Sequence, residues 1–487
     1  MRFRKIILIV FIVFVGASLI YGLVDKRKVT TSSDKAYRAY LGGEDLRDRL
    51  YTREALEQFE QAIKLDPYFA MAYFQAAMLY RAFDRKDEYE EAKNKALGLL
   101  DRVKDKERVV INLGLARSDD RRADVERYAK ELIDKLPDSF EAQEYLGGRA
   151  FMQHDFDKAI DENLQILKKN PNHALSYNIL GYSYYYKGEP DRALENLNKY
   201  SSMAPDQANP HDSYGEILLN LGRYDEALLE FREADSIKSG LYFVVGHIAD
   251  TYRAKGMYRD AIGAYFKARE LSLNEEIKAD IDGDIALCYL ESGKIGEATA
   301  VLKETVARKP DDLKSNAILG GIYAETGEME SALLQLGIVK GIIARYQNPL
   351  PTDEKASIWI KSPEYYLAGE VALYRGEYQA ALENLGKLYT ENMPPDRVYF
   401  AGLLGEALTK AQMPDSAVAV LNAALKENPN SEICLRCLAG AYRELGQKDA
   451  ERGALERYLA VMTDADEGLA RVISAAATLE QLNRKNL

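Results

Sequence analysis

Residues that carry chemistry are scarce in this sequence. Among 487 residues there are three cysteines, four histidines and one tryptophan. Three cysteines are too few for a disulfide scaffold, and four scattered histidines leave little material for a metal centre. The dipeptide Gly-Lys occurs at Gly293 and Gly386, and neither copy is followed by the Ser or Thr of a phosphate-binding loop. We therefore predict that the chain is not an enzyme and has no cofactor, metal or small-molecule substrate.

One acidic group has the spacing of a calcium-binding loop, but it lacks a required residue. Such a loop needs glycine at its sharp turn, and Ile285 occupies that position. The repeat described below also places the stretch within a helix, which is the interpretation we favour. The acidic residues are Asp280, Asp282, Asp284 and Glu291.

The charge balance is acidic. Lys and Arg number 65 against 77 Asp and Glu, giving a formal net charge of −12. The first 28 residues carry six basic side chains and one acidic one, so the remainder is more acidic still. An acidic surface repels a phosphate backbone, and we predict no nucleic-acid partner. Tyrosine is abundant, with 33 copies against 14 phenylalanines.

The N-terminal region contains one long apolar run. Residues 6–24 are 19 residues without a charge, which is just enough for a helix to cross a bilayer. A cleaved signal peptide is the alternative, with Gly16-Ala17-Ser18 as its small-residue site. We favour an uncleaved signal-anchor, because the run continues past that site. Basic residues flank both ends, so orientation is weakly determined. We expect a single-pass protein whose remaining chain is extracytoplasmic or periplasmic.

The rest of the chain is built from repeats. A large residue followed by a small one recurs, at first every 34 residues, an alanine follows twelve residues later, and a proline closes many units. Apolar residues at helical spacing predict two amphipathic helices per unit, with Gly-containing turns between them. One unit cannot bury its own apolar face, so the units must stack. The small residues are Gly147, Gly181, Gly215, Ala249, Ala286, Gly320, Ala368, Gly405 and Ala439.

These features resemble tetratricopeptide repeats. The resemblance implies an all-α, right-handed solenoid of about twelve helix–turn–helix repeats, preceded by one transmembrane helix. The second and third repeats depart from the pattern: the second has a longer turn, and the third has Val125 in place of the alanine. The predicted segments are 1–28 (anchor), 29–35 (linker), 36–346 (about nine repeats), 347–360 (loop), 361–464 (about three repeats) and 465–487 (capping helix).

The resemblance also implies where a partner binds. In this family the first helices of successive units line a concave groove, and side chains at fixed offsets face inward. Aromatic anchors with nearby carboxylates favour a protein or peptide partner with basic and apolar residues. Tyrosines that only fill the space between repeats are the alternative. The predicted groove residues are Phe151, Met152, Asn178, Tyr182, Tyr185, Tyr186, Asp212 and Glu216.

We therefore predict a membrane-tethered, non-catalytic scaffold that binds protein partners in its groove. The alternative is a module for binding or assembling an envelope polysaccharide, in which the tyrosines of the groove would stack on sugar rings.

Overall fold

The computed structural model describes residues 29–137, 139–346 and 354–484. The regular structure in these residues consists of α-helices and a single turn of 3-10 helix at Leu100–Arg102. The α-helices are α1 (Asp34–Asp48), α2 (Thr52–Leu65), α3 (Ala70–Ala82), α4 (Lys86–Gly98), α5 (Asp105–Ser118), α6 (Arg122–Lys135), α7 (Phe140–Met152), α8 (Phe156–Lys169), α9 (Ala174–Tyr186), α10 (Pro190–Met203), α11 (Ala208–Asn220), α12 (Tyr224–Ile237), α13 (Tyr242–Ala254), α14 (Tyr258–Leu271), α15 (Glu275–Glu291), α16 (Ile295–Arg308), α17 (Leu313–Glu325), α18 (Met329–Tyr346), α19 (Glu354–Tyr374), α20 (Tyr378–Glu391), α21 (Asp396–Lys410), α22 (Pro414–Glu427), α23 (Glu432–Glu444), α24 (Lys448–Val461) and α25 (Ala470–Arg484).

The helices form consecutive pairs. Across the described ranges, α1 to α24 make twelve helix–turn–helix pairs, and α25 follows the last pair. The prediction of an all-α solenoid of repeats is confirmed. The chain divides into two compact units, which within the described ranges are residues 29–210 and 211–484. Residues 354–360, which we expected in a loop, are the first residues of α19.

The small residues of the repeat lie where the two helices of a pair approach each other most closely. A Cβ atom added to Gly181 in α9 would lie 2.5 Å from Cγ of Leu197 in α10. At Gly215 in α11 it would lie 2.7 Å from Cε1 of Phe231 in α12. Real Cβ atoms do not approach other heavy atoms this closely, so any side chain there would push the helices apart.

The tenth pair corrects the predicted register by one residue. Gly369, not Ala368, lies at the close approach, since its added Cβ would be 2.7 Å from Cδ2 of Leu385. The repeat alanine is accordingly Ala381, which is fully buried, and not Ala380. Two adjacent small residues made the sequence pattern ambiguous here, and helix packing resolves it.

The second and third repeats are regular helix pairs despite their divergent sequences. Their turns use Asp84, with φ of 58°, and Asp120, with φ of 54°, at the position where later repeats use glycines such as Gly188, with φ of 78°. Asp is among the few non-glycine residues that adopt this left-handed conformation readily. The same turn is therefore built without the glycine that marks it elsewhere.

The segment predicted as a linker is attached to the first unit. The Thr30 backbone amide donates to Glu107 Oε2 over 2.9 Å, and the Thr31 hydroxyl donates to Asp66 Oδ2 over 2.6 Å. Val29 is also buried. Residues 29–33 therefore pack on the helices of residues 29–210.

The predicted membrane anchor, residues 6–24, lies outside the described residues. In the part of the chain that the structure does describe, none of the helices combines the length and the apolar character that a bilayer crossing requires. This finding corrects the expectation of a single-pass membrane location, for which the structure gives no support.

Candidate functional site

Six of the predicted groove residues lie in the unit of residues 29–210. Phe151 and Met152 end α7, and both side chains are half-buried. On α9, Tyr182 and Tyr186 are also half-buried, whereas Tyr185 is only 6% exposed. Tyr185 therefore fills the space between helices, as the alternative interpretation of the tyrosines held, and Tyr182 and Tyr186 retain exposed surface.

Aromatic rings from two successive pairs form one cluster. The ring centroid of Tyr186 lies 6.0 Å from that of Phe151 and 5.3 Å from that of Phe156, and 5.3 Å from that of Tyr185. Sequence reasoning missed Phe156, because it is the first residue of a second helix and the resemblance assigns the groove to first helices. Its position directly after the turn between α7 and α8 is the one sequence feature that could have indicated its place in the ring cluster.

Asn178 is the most unusual polar group of this face. It is 4% exposed, and its Oδ1 atom has no hydrogen-bond partner in the described chain. Burying an amide oxygen without a partner costs about 1–3 kcal/mol. The Oδ1 atom has almost no solvent-accessible surface, so a partner on the outside of the helices does not reach it, contrary to the expectation of a groove contact.

The histidine near Asn178 brings no positive charge to this face. His173 Nδ1 lies 2.8 Å from Ser176 Oγ, and its Nε2 lies 3.8 Å from Oε1 of Glu144 on α7. Burial lowers the pKa of His173 to about 4, so the imidazole is neutral at physiological pH. Of the two carboxylates of α7, Glu141 is paired with Lys106 and Glu144 lies beside this neutral imidazole.

Asp212 and Glu216 lie in the other unit, residues 211–484. Asp212 is 4% exposed and accepts a hydrogen bond from Nδ1 of His247 on α13 over 2.9 Å. This differs from our expectation of an acid offered to a partner, because the carboxylate already has a basic neighbour within the chain. Glu216 is half-buried on the same helix.

The pairing sets the charge of His247. Burial opposes protonation of the imidazole, but the charge of Asp212, supported by Glu216 and Asp250, outweighs it and raises the pKa of His247 to about 9. At physiological pH the pair is therefore an imidazolium and a carboxylate inside the protein. Its role is to hold α11 and α13 together.

Helices of residues 211–484 line a small, partly open cavity of about 130 Å³. Its walls come from helices far apart in the chain, and they carry both signs of charge. Arg253 on α13 and Glu291 on α15 form one side, and Tyr399 on α21 and Glu432 on α23 form the other. Burial raises the pKa of the Glu432 carboxyl above its ordinary value. Sequence reasoning missed this site, because no periodic pattern reveals which distant repeats meet.

The acidic stretch of α15 is helical, as predicted. Its middle carboxylate, Asp282, is bound by Arg269 and Arg308, each at 2.6 Å. Asp284 is 2.9 Å from Nζ of Lys314, a buried lysine of α17. Within the described ranges, no group of three or more His, Cys, Asp or Glu side chains is arranged to hold a metal ion. These acids bind basic side chains of neighbouring helices.

Comparison with known families identifies the repeat in three segments of the chain. The family model described as tetratricopeptide repeat matches residues 180–241, 284–337 and 366–432. Each of these segments covers helix pairs with the close approach described above. These three segments carry tetratricopeptide repeats. Such repeats are typical of scaffolds for protein–protein interaction.

Similar proteins share the repeat at low identity. The TPR repeat-containing protein MJ1428 of Methanocaldococcus jannaschii is 23% identical over 327 residues, which cover 64% of this chain and 55% of that relative. The chain therefore spans little more than half of that relative's length. The crystal structure of the APC/C hetero-tetramer Cut9-Hcn1 aligns with a TM-score of 0.44 at 16% identity, covering 92% of this chain and 76% of that one. The P58(IPK) TPR domain aligns with a TM-score of 0.25 at 18% identity, covering 71% and 98%.

Proposed function

We propose that the chain is a non-catalytic scaffold, and that the α7–α9 face of residues 29–210 binds a protein segment with apolar and basic side chains. We call this surface the aromatic face and define it by the half-buried side chains of Phe151, Met152, Tyr182 and Tyr186. The observation that carries the proposal is the continuous cluster of rings from two successive repeats, part of which remains exposed.

The aromatic face has the composition that protein interfaces favour. Tyr and Phe are enriched in interface cores, where they bury large areas for few rotatable bonds. The packing of Tyr186 against Phe151 and Phe156 restricts its ring before any partner arrives. Because less side-chain entropy remains to be lost, binding at these rings is favoured.

Polar groups around the rings determine the kind of partner. α7 contributes Glu141, which lies 2.5 Å from Lys106, and Glu144, which lies beside the neutral His173. A Lys or Arg side chain of a partner would be attracted to these carboxylates, and large apolar side chains would cover the exposed rings.

The proposal predicts which peptides the whole chain selects. A displayed library of short random peptides should be enriched in sequences that place Lys or Arg beside Leu, Phe or Met. The double substitution Tyr182→Ala and Tyr186→Ala should reduce the binding free energy of the selected peptides by about 2 kcal/mol or more, which is the usual effect of truncating a hot spot. Fluorescence anisotropy with a labelled selected peptide would measure the change.

Tyr177→Ala is the matched control. Tyr177 is half-buried on the same helix, but its hydroxyl donates to the carbonyl of Pro171 at 3.4 Å and it is not part of the ring cluster. The substitution Tyr177→Ala should therefore leave the affinity for the selected peptides unchanged. Equal affinities for the double variant and the wild type would show that partners bind elsewhere. If the wild type and Tyr177→Ala are retained on glycan beads and the double variant is not, this face would instead bind a polysaccharide.

A further inference from the structure

Two late segments of the chain return to helix turns that lie about six repeats earlier in the same unit. Tyr224 contacts Asn430, 206 residues away, and Arg259 contacts Asp466, 207 residues away. We propose that these contacts form a clasp that holds the first and last repeats of residues 211–484 together beside the cavity, and that opening of the clasp exposes the faces of α13, α15, α21 and α23 that line the cavity. The clasp is defined as Gly222, Tyr224, Lys255, Gly256, Tyr258 and Arg259 on one side and Asn428, Asn430, Asp464, Asp466 and Arg471 on the other.

The first part of the clasp joins the turn before α12 to the turn before α23. The Tyr224 hydroxyl donates to the carbonyl of Asn430 over 2.9 Å, and the Asn430 side-chain amide donates to the carbonyl of Gly222 over 3.0 Å. Gly222 has φ of 77°, and a Cβ added there would collide with Asn428. The two turns therefore fit each other closely, and each satisfies polar groups that the other leaves available.

The second part joins the turn before α14 to the segment between α24 and α25. The Arg259 amide donates to Asp466 Oδ2 over 2.9 Å, and the Asp466 amide donates to the carbonyl of Gly256 over 3.1 Å. The amide of Arg259 belongs to the first turn of α14, where amides have no acceptor within their own helix, and Met257 at the N-cap supplies no side-chain bond. Asp466 therefore caps α14 from across the unit, where the helix dipole favours its negative charge.

Charged side chains complete the clasp. Lys255 Nζ lies 2.7 Å from Asp464 Oδ2. Arg471 on α25 hydrogen-bonds the Tyr258 hydroxyl, and its guanidinium lies 3.8 Å from Oε2 of Glu291, on the wall of the cavity. Ion pairs of this kind lie partly in solvent, so added salt weakens them. The clasp also has one close apolar contact, because a Cβ added to Gly256 would lie 2.3 Å from Cε of the buried Met462.

With the clasp in place, little can lie between these helices. The cavity is open to solvent on part of its surface, but a space of about 130 Å³ holds water molecules and is too small for a peptide segment. The walls nevertheless carry Arg253 and Tyr399, and Arg and Tyr are enriched in protein interfaces. In this structure the chain's own C-terminal repeats cover that face, and a macromolecular partner would have to displace them. This inference concerns residues 211–484 and is independent of the aromatic face.

Hydrogen exchange of the full-length chain, followed by mass spectrometry, tests the clasp directly. Arg471→Glu places a carboxylate against Glu291 and Glu432, and should raise exchange about tenfold in peptides containing the Arg259 and Asp466 amides. The same peptides in wild-type protein should exchange faster in molar salt. Arg484→Glu is the matched control, since Arg484 is on the same helix and pairs with Glu480 of that helix. It should exchange like wild type.

Asp466→Ala provides a second route that adds no charge. It removes the cap from α14 and should also accelerate exchange at Arg259, while the interior amides of α13, α15 and α21 stay protected. If the clasp peptides of both Arg471→Glu and Asp466→Ala exchange at the wild-type rate, the clasp proposal is wrong. Loss of protection throughout α13 to α23 in both variants would also overturn it, because the contacts would then be inseparable from folding of the unit.

Discussion

Asp212→Ala is expected to lower the free energy of unfolding of residues 211–484 by about 3–5 kcal/mol near neutral pH, the usual cost of removing one partner from a buried ion pair. Asp212 and His247 are 4% and 3% exposed, so water cannot replace the lost carboxylate. The imidazole would remain buried against the ring of Phe231, whose centroid lies 5.3 Å away, without its hydrogen-bond partner. Chemical denaturation of the full chain, read by far-ultraviolet circular dichroism, measures the loss.

The same pair predicts how stability depends on pH. The pKa of His247 is about 9 in the folded chain and about 6.5 in the unfolded one, so the folded state holds the proton more tightly. The stabilisation is therefore fully present below about pH 6.5 and is lost as pH rises through 9, to a limit of about 3 kcal/mol. This decline should be absent in Asp212→Ala, so the variant and the wild type should converge at alkaline pH.

Glu230→Ala is the matched control for this experiment. It breaks a second histidine–carboxylate pair, His211 Nδ1 to Glu230 Oε2 at 2.8 Å, whose side chains are 20% and 28% exposed. Because solvent screens that pair, its loss should cost about 0–1 kcal/mol. If Glu230→Ala and Asp212→Ala lower the free energy of unfolding by similar amounts, burial of Asp212 does not increase the stabilisation that its ion pair provides.

Gly215→Ala is expected to destabilise the same unit by about 1–3 kcal/mol, because it overpacks the closest approach of α11 and α12. The new methyl group would lie 2.7 Å from the ring of Phe231, which is fully buried and cannot move aside. Helix propensity alone would predict the opposite sign, since alanine is favoured over glycine in a helix interior by about 1 kcal/mol. Denaturant midpoints of the full chain would measure the difference.

Gly246→Ala makes the identical substitution one repeat later. Gly246 is within α13, and no atom outside its own helix lies within 4 Å of an added Cβ. Only the difference in helix propensity between glycine and alanine remains, so this variant should be more stable than the wild type by up to about 1 kcal/mol. If both alanine variants shift stability in the same direction, the close approach does not limit the packing of the pairs.

Much of this fold could be predicted from the sequence, because its main determinants are local. Gly181 and Leu197, or Gly215 and Phe231, are 16 residues apart, and each pair lies in one helix hairpin. The small residue, the turn and the following alanine therefore recur with the period of the hairpin and are visible as a pattern. Where Ala368 and Gly369 stand side by side, two registers satisfy the pattern equally, and the prediction slipped by one residue.

Only the tertiary structure decided which residues of the inner faces are exposed. Tyr182 and Tyr185 are both at predicted groove offsets, yet only Tyr185 is buried between helices, and Asp212 turned out to face His247 of the next repeat. The clasp lay further beyond the reach of sequence reasoning. Asn430 and Asp466 contact turns more than two hundred residues away, and those contacts depend on the sum of the small rotations between six successive repeats. No periodic pattern specifies that sum, because each rotation is determined by side-chain packing at one repeat interface.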